Sequence, residues 1–337
     1  MLLPHIERVL DAARSAPSHD NVQPWRFVAD GDTVAFKTEG EPDVEMARLS
    51  VGAAVECAVI AAARMGATVR FGAPREGALV EMTFSDPKRI PDPDLARTRR
   101  VTNRRTYDGR PLDDATLKAL REATPKRDLA ETHWFGRERV RALGPLVEQA
   151  EERLFVDPVQ RERTLGALRF DVKDRDTVER GMPIGSLELS TSERTALATL
   201  RKPVGQGAAA AACKTLASRA RKLMESASGV CVITTTGSDP MADVDAGRAM
   251  QRAWMVLTQK GIAAHPMMAI LALAHSAAAP DADTIDEHLG PLLLAFKGAF
   301  PNVPDGTRIA FLMRFGWAEP PSCRAGRRPI EDFVVSA

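Results

Sequence analysis

The 337-residue sequence has few cysteines, few histidines and a single tyrosine, and each scarcity excludes a class of protein. The six histidines show no ligand spacing, so no metal site is predicted. The four cysteines lie far apart, which excludes a disulfide framework and a zinc site; they are Cys57, Cys213, Cys231 and Cys323. The net charge of +1 provides no global field for nucleic acid or an anionic membrane.

Long apolar runs are also missing. No stretch of 18 apolar residues occurs, so neither a signal peptide nor a transmembrane helix is predicted. The hydrophobic fraction of 44% and the charged fraction of 27% are those of an ordinary globular protein. Together with reduced, mostly packed thiols, this composition predicts a cytoplasmic protein.

A loop of sequence APSHDNVQPW, which follows an apolar first helix, is the most distinctive segment that is present. Its two prolines fix φ and remove backbone donors, so the loop is expected to be rigid. Ser18, Asn21 and Gln23 would project donors and acceptors suited to the edge of a flat heterocycle. An ordinary capped helix end followed by a turn remains the alternative, because Ser, Asn, Asp and Pro dominate such turns.

The chain contains an imperfect internal duplication. Residues 52–66 and 247–261 are apolar helices of equal length that begin and end at glycine, as core helices with glycine C-caps do. The helices at 10–16 and 117–123 also correspond, and each is followed by a proline and then a tryptophan. This order predicts two related modules, residues 1–95 and 96–337.

Strands are predicted around these helices, so the fold class is α+β. They are expected at 27–29, 33–37, 78–84, 230–235 and 308–315, with a hairpin turn at Asp30-Gly31-Asp32. A Pro/Asp-rich connector at 86–94 separates the modules. Residues 157–228 have no counterpart in the first module and are interpreted as a partly helical, lid-like insertion.

Each module has lost what the other retains. The second module lacks the Ser/Asn/Gln loop, but it carries Arg104, Arg105 and Thr106 upstream and the arginine-rich tail RAGRRP downstream. Arginine presents a rigid fork that suits phosphate. A planar ring with a phosphate tail would need both sets of residues.

This split pattern resembles the nitroreductase family of FMN-binding oxidoreductases, and in particular its Acg-like branch, in which two half-modules are fused. The resemblance implies a nitroreductase-like fold with an internal pseudo-dimer, and one FMN per chain in a monomer or weak homodimer. It implies that Ser18, Asn21 and Gln23 contact the isoalloxazine ring. Arg104, Arg105 and Thr106 would bind the phosphate and ribityl oxygens. Arg327, with Arg328 or Arg324, would complete the phosphate site.

The same resemblance places the turn His265-Pro266-Met267-Met268 over one face of the ring, with Pro266 and Met267 as cofactor contacts. Met268 stands where the family has a carboxylate. No side chain of this sequence is expected to act as a nucleophile or general base, since the flavin supplies the chemistry.

The function implied is an FMN-dependent oxidoreductase that passes a hydride from NAD(P)H to a nitroaromatic, quinone or similar small acceptor. A flavin-sequestering protein with a lid and little turnover is the first alternative, and a specialised biosynthetic oxidase or dehalogenase is the second. The Gly205–Ala210 run imitates a dinucleotide fingerprint but follows no predicted strand. The arginine run from Arg97 to Arg110 lacks the interleaved aromatics of a nucleic-acid site.

Overall fold

A computed structural model of the chain describes residues 2–39, 44–89, 100–170, 172, 180–237, 239–277 and 289–335. Most of the charged stretch at 171–180 and half of the predicted connector at 86–94 lie outside these residues, as do Arg97 and Arg99. Within them the chain mixes helices and sheets, and the α+β prediction is confirmed.

The first part of the chain forms a small sheet beside one long helix. Its elements are α1 (Pro4–Arg14), β1 (Trp25–Asp30), β2 (Thr33–Thr38), α2 (Val44–Met65), β3 (Val69–Gly72) and β4 (Val80–Phe84). Gly31 adopts φ +55° between β1 and β2, as a tight hairpin turn requires. The hairpin and all three strands predicted in this part are confirmed.

The second part repeats this order of elements. It contains α3 (Asp114–Ala123), β5 (Ala130–Phe135), β8 (Gly229–Thr236), α8 (Pro240–Gln259), β9 (Ala263–Pro266) and β10 (Thr307–Gly316). Two apolar helices, α9 (Ala269–Ala277) and α10 (Leu289–Gly298), lie between β9 and β10 in sequence. The strands predicted at 230–235 and 308–315 are therefore also confirmed.

The two sheets have the same strand order. The first runs β1-β2-β4-β3 and the second runs β5-β8-β10-β9, so each strand has a counterpart at the same position. The first sheet gains one further strand, β11 (Val334–Val335), which pairs in parallel with β1. The C-terminal tail, assigned by sequence to the second module, thus joins the first sheet.

The long helices α2 and α8 cross in the centre of the molecule. Gly52 and Gly247 lie at the crossing, where a Cβ on either would overlap the backbone carbonyl oxygen of Val244 or Leu49. These are the first glycines of the two repeats found in the sequence.

With a mean hydropathy of 1.6, α2 is long and apolar enough to cross a membrane, but 72% of that stretch is buried within the protein.

The insertion is a folded helical unit. A long helix, α4 (Arg137–Val156), leads into it, followed by α5 (Pro158–Gly166), β6 (Leu168–Arg169), β7 (Met182–Pro183), α6 (Thr191–Leu200) and α7 (Gln206–Glu225). It has a small apolar core of its own, which includes Phe155, Leu168, Leu197 and Leu216. The end of α7 packs into the second module through Ala220 and Met224. Since Gly205 is the N-cap of α7 and follows α6, the dinucleotide interpretation fails.

Candidate ligand-binding site

A large polar cavity lies where four segments meet. They are the end of α1 with the loop after it, residues 100–104, the insertion and the C-terminal tail. The cavity has a volume of about 470 Å³ and will be called the arginine cavity. Its lining includes five arginines: Arg14, Arg100, Arg104, Arg324 and Arg327.

Positive charge in this cavity greatly exceeds negative charge. Asp11 is the single acidic side chain among its described lining residues, and its carboxylate already accepts a hydrogen bond from Arg14 Nε at 2.7 Å. Uncompensated, converging guanidinium groups in a concave site favour an anion. A phosphate, which accepts several bonds from planar forks, fits this donor set.

Arg100 gives the clearest sign of a missing anion. Its side chain is 8% exposed, its Nε has no hydrogen-bond partner among the described residues, and its guanidinium lies 4.5 Å from the centre of the Trp254 ring. Burial and repulsion from Arg327 lower the pKa of Arg100 to about 9. A buried donor without a partner is costly unless a ligand satisfies it. The sequence contained Arg100 only as one member of a basic run, so its role was missed.

Of the predicted trio Arg104, Arg105 and Thr106, only Arg104 lines the cavity. Its guanidinium donates to Ser186 O at 3.3 Å and contacts Met182 Sδ at 3.2 Å. Burial, with repulsion from Arg219, lowers the pKa of Arg104 to about 10.

The other two members of the trio lie elsewhere. Arg105 is near Glu188, with Nε and Oε2 3.5 Å apart, and Thr106 is exposed. Neither lines the arginine cavity.

Arg327 joins the tail to the end of α1. It donates to Ala16 O from Nη2 at 2.8 Å and to Asn21 Oδ1 from Nη1 at 2.8 Å. Burial lowers its pKa to about 10. Arg328 lies outside the cavity, where its Nε donates to Asp332 at 2.9 Å, while Arg324 is exposed at the cavity edge. The tail therefore contributes Arg327 and Arg324.

The predicted ring-binding loop is rigid and has an unusual backbone. Asp20, Asn21 and Gln23 all have positive φ, at 46°, 58° and 56°. Left-handed conformations are uncommon for residues other than glycine and concentrate at functional sites. Ser18 helps to hold this shape, because its Oγ accepts a hydrogen bond from Gln23 N at 3.0 Å. Ser18 and Asn21 line the arginine cavity, whereas Gln23 is 1% exposed and does not.

The two amides of this loop bond to other segments of the protein. Asn21 Nδ2 donates to Gly181 O of the insertion at 3.0 Å and to Gly326 O of the tail at 3.3 Å. Gln23 Oε1 accepts from Arg328 N at 3.0 Å. Asn21 and Gln23 thus fasten the insertion and the tail around the cavity, a role that sequence reasoning did not identify.

A second cavity of about 190 Å³ adjoins the first and is mostly apolar; it will be called the bridging cavity. Arg104 and Met182 line both cavities, so their contact forms the boundary between them. Pro266 and Met267, predicted to cover a ring face, line the bridging cavity together with Met268 and His265. The predicted turn and one predicted arginine are therefore brought together.

A third cavity of about 310 Å³, the outer cavity, lies beyond the bridging cavity. Glu151, Thr164, Met268 and Ala269 line both. Several of its charged residues neutralise one another: Arg308 is paired with Glu45 at 3.0 Å and with Asp243, and His275 lies 3.3 Å from Glu45. The lining of this cavity is mostly apolar, which suits an uncharged ligand.

A buried arginine on β10 holds the 103–107 segment in place. Arg314 is 0% exposed, donates to Arg105 O at 2.7 Å and to Leu223 O at 2.8 Å, and stacks 3.8 Å from the centre of the Tyr107 ring. Its Nε donates to His265 Nδ1 at 3.1 Å. Burial, and repulsion from Arg314, lower the pKa of His265 well below its usual value, so His265 is neutral. In the sequence, only the presence of a polar residue in an apolar strand indicated this buried cation.

Comparisons with known proteins give distant similarities. No family model matches the chain. Over 96% of its length the chain is 27% identical to the uncharacterized protein MT1398 of Mycobacterium tuberculosis (strain CDC 1551 / Oshkosh), and the match covers 47% of that protein. The chain thus spans about half the length of this curated relative.

The similar solved structures are nitroreductase-like FMN proteins. One is the FMN and NADPH-dependent nitroreductase NfnB from Sphigopyxis sp. strain HMH, with 17% identity, 71% of this chain and 94% of that chain covered, and a TM-score of 0.38. Another is the FMN-dependent NfnB of Mycobacterium smegmatis in complex with NADPH, with 14% identity, 70% and 92% coverage and a TM-score of 0.35. At TM-scores below 0.5, these similarities do not assign a ligand to any residue.

Proposed function

We propose that the protein is a nitroreductase-like flavoprotein that binds one FMN per chain and reduces a small acceptor. The observation that carries the proposal is the arginine cavity, with its excess positive charge and the unpartnered Nε of Arg100, beside the mostly apolar bridging cavity. A ligand with a dianionic end and a flat, mostly apolar end fits this pair of cavities. FMN has this chemistry.

The residues divide between the two ends of the ligand. Arg100, Arg104 and Arg327 would hold the phosphate in the arginine cavity, with Arg324 at its exposed edge. The ring would lie toward the bridging cavity, against Pro266 and Met267. This division keeps the roles that the family resemblance implies for Arg104, Arg327, Pro266 and Met267. It removes Arg105, Thr106 and Arg328 from direct contact and makes Asn21 and Gln23 organisers of the site.

FMN, when bound, would supply hydride transfer. The protein would orient the ring, exclude water from one side of it and admit an acceptor through the outer cavity. The mostly apolar lining of that cavity favours a neutral quinone or nitroaromatic compound. NADPH or NADH would be the reductant.

An absorbance experiment tests this function. FMN is added to the purified protein, excess flavin is removed, and NADPH and then NADH are added without oxygen. Bleaching of the flavin within seconds, followed by recovery of colour on addition of a quinone, is the expected result. A yellow protein that dithionite bleaches but neither nicotinamide bleaches would contradict the oxidoreductase.

A flavin that dithionite reduces but neither nicotinamide reduces would support flavin sequestration. One structural observation also supports this alternative. The insertion lines both cavities, through Met182 and Ser186 in the first and through Met182, Leu187 and Leu189 in the second. A helical unit that closes one side of a flavin would slow both its release and its reaction. Slow FMN release from the wild-type protein, accelerated by Met182→Ala, would support this candidate.

We also propose that the chain is a fused pseudo-dimer. The identical strand order of the two sheets and the paired glycines at the α2–α8 crossing support a duplication. The arginine cavity draws on both parts of the chain, and a single chain therefore suffices to form it. The fold of the similar structures agrees with a nitroreductase-like scaffold, but the site assignment depends on the residues of this chain.

A further inference from the structure

A single carboxyl group stands between the bridging and outer cavities. Glu151 lies on α4, and its neighbours on that helix face are apolar: Val147 and Phe155 line the bridging cavity, and Leu154 lines the outer cavity. An acidic side chain on such a face, where a hydrophobic residue would be expected, calls for a reason beyond packing.

This carboxyl group is not held by the protein around it. No hydrogen bond or ion pair reaches Glu151 from any residue that the structure describes. Arg219, the cation whose charge acts on Glu151, is already engaged by Glu193 at 3.4 Å and by Leu187 O at 2.5 Å. Burial raises the pKa of Glu151 to about 7, although the charge of Arg219 opposes the rise. A carboxylic acid of this kind can lose and regain a proton near neutral pH.

The other charged groups around the two cavities are already committed or lie on different walls. His265 is neutral and accepts its bond from Arg314. In the outer cavity, Arg308 and His275 interact with Glu45. The remaining charged side chains are Arg104 in the bridging cavity and His19, Asp20, Arg163 and Asp243 in the outer cavity. Among these residues, Glu151 alone lines both cavities and lacks a partner.

We infer that Glu151 is the acid that protonates the electron acceptor in the outer cavity. The inference depends on the proposed function, because the hydride must come from reduced FMN on the side of the bridging cavity. A quinone would gain the hydride and its electron pair, while its oxygen takes the proton from the Glu151 carboxyl, which becomes a carboxylate. The products are a hydroquinone and oxidised flavin, and water restores the Glu151 proton through the outer cavity.

The test compares Glu151→Gln with Glu152→Gln, a neighbouring change on the same helix that affects neither cavity lining. First, the FMN-loaded proteins are titrated by difference infrared spectroscopy. A carboxyl band that titrates near pH 7 is expected in the wild type and in Glu152→Gln, and it should be missing in Glu151→Gln.

Second, the two half-reactions are measured separately by stopped flow. In Glu151→Gln, the rate of flavin reduction by NADPH should change less than about twofold. The rate of flavin reoxidation by a quinone should fall by about 10²-fold. The wild-type reoxidation rate should decline above pH 7, and this decline should be absent in Glu151→Gln. Reoxidation that keeps its wild-type rate and pH profile overturns the role of Glu151 and leaves the oxidoreductase intact. A protein that takes up no FMN, or whose flavin no nicotinamide reduces, overturns both.

Discussion

At the scale of single residues, the arginines of the arginine cavity differ in how far the protein itself engages their donors. Arg14 is paired with Asp11, and Arg327 donates to the end of α1 and to Asn21. Arg100 has a buried, unpartnered Nε. Substitution of Arg100 should therefore change ligand binding more than it changes the stability of the fold.

Replacing Arg100 by methionine should weaken FMN binding without destabilising the protein. A buried cation without a partner costs free energy, so the FMN-free variant should unfold with unchanged or slightly greater free energy, within about 1 kcal/mol. FMN affinity should fall at least about 10-fold, because one charge-assisted contact is worth roughly 1.5–3 kcal/mol. Urea unfolding and flavin fluorescence titration measure the two quantities.

Arg110→Met is the matched control. Arg110 is exposed, stacks 5.5 Å from the centre of the Trp317 ring and bonds to Asp108, but it lines none of the three cavities. Its replacement should leave FMN affinity unchanged. Equal effects of the two substitutions would show that general positive charge, and not the Arg100 position, attracts the ligand.

Glu151 should make stability depend on pH. Its pKa is raised from 4.5 to about 7 in the folded protein, so the folded state binds the proton more tightly than the unfolded state does. The stabilisation is therefore complete at pH 4 and is lost as pH rises through 7. In FMN-free protein, Glu151→Gln should gain about 2 kcal/mol relative to wild type between pH 5 and pH 8, after allowance for partial exposure. Unfolding by urea at several pH values measures this difference, and parallel curves would contradict it.

At the scale of elements, the helix crossing predicts a steric effect. Gly52→Ala would place a methyl group against the Val244 carbonyl, which is backbone and cannot move aside without separating α2 from α8. We expect a loss of about 2–4 kcal/mol in the free energy of unfolding. Gly207→Ala is the control, because this helical glycine of α7 has nothing within 4 Å of its Cβ position, and it should gain up to about 1 kcal/mol. Denaturant unfolding of both variants checks the contrast.

The sequence predicted helices and strands better than it predicted contacts between distant residues. The repeats at 52–66 and 247–261 located the two central helices and their C-terminal ends, because glycines and apolar residues recur at fixed spacing. The helices begin earlier than predicted, at Val44 and Pro240, so the first glycine of each repeat lies inside its helix. The strands β3, β5, β9 and β11 were missed, and β11 has only two residues, too few to show an alternating pattern. The insertion was recognised, but its role as a wall of two cavities arises from contacts between residues far apart in sequence.

The site was partly predictable for the same reason. Ser18, Asn21, Arg104, Arg327, Pro266 and Met267, all named from the sequence, line the arginine cavity or the bridging cavity, because motif spacing carries information about local segments. Their contacts with FMN stay predictions. Arg105 and Thr106 follow Arg104 in the chain, but neither lines a cavity. Arg100 and Glu151 had no motif to mark them. The Nε of Arg100 and the carboxyl group of Glu151 stand out because they lack hydrogen-bond partners among the described residues, and this can be seen only in the folded structure.

At the scale of the whole molecule, two related sheets enclose a pair of crossed helices, and the ligand cavities open where the first loop, the insertion and the tail meet. Three adjoining cavities lie in order: the cationic arginine cavity, the small apolar bridging cavity and the larger, mostly apolar outer cavity. We interpret this order as phosphate, ring and acceptor. The tail belongs to both the first sheet and the arginine cavity, so loss of its pairing with β1 should also weaken ligand binding.

The central claim is that the arginine cavity binds the phosphate of one FMN per chain. Its most direct test is a fluorescence titration of FMN-free protein with FMN and, separately, with riboflavin, which has the same ring and no phosphate. We predict saturation at one FMN per chain and at least about 100-fold weaker binding of riboflavin, as expected for the loss of several charge-assisted bonds. Equal affinity for the two flavins, or no binding of either, would contradict the claim.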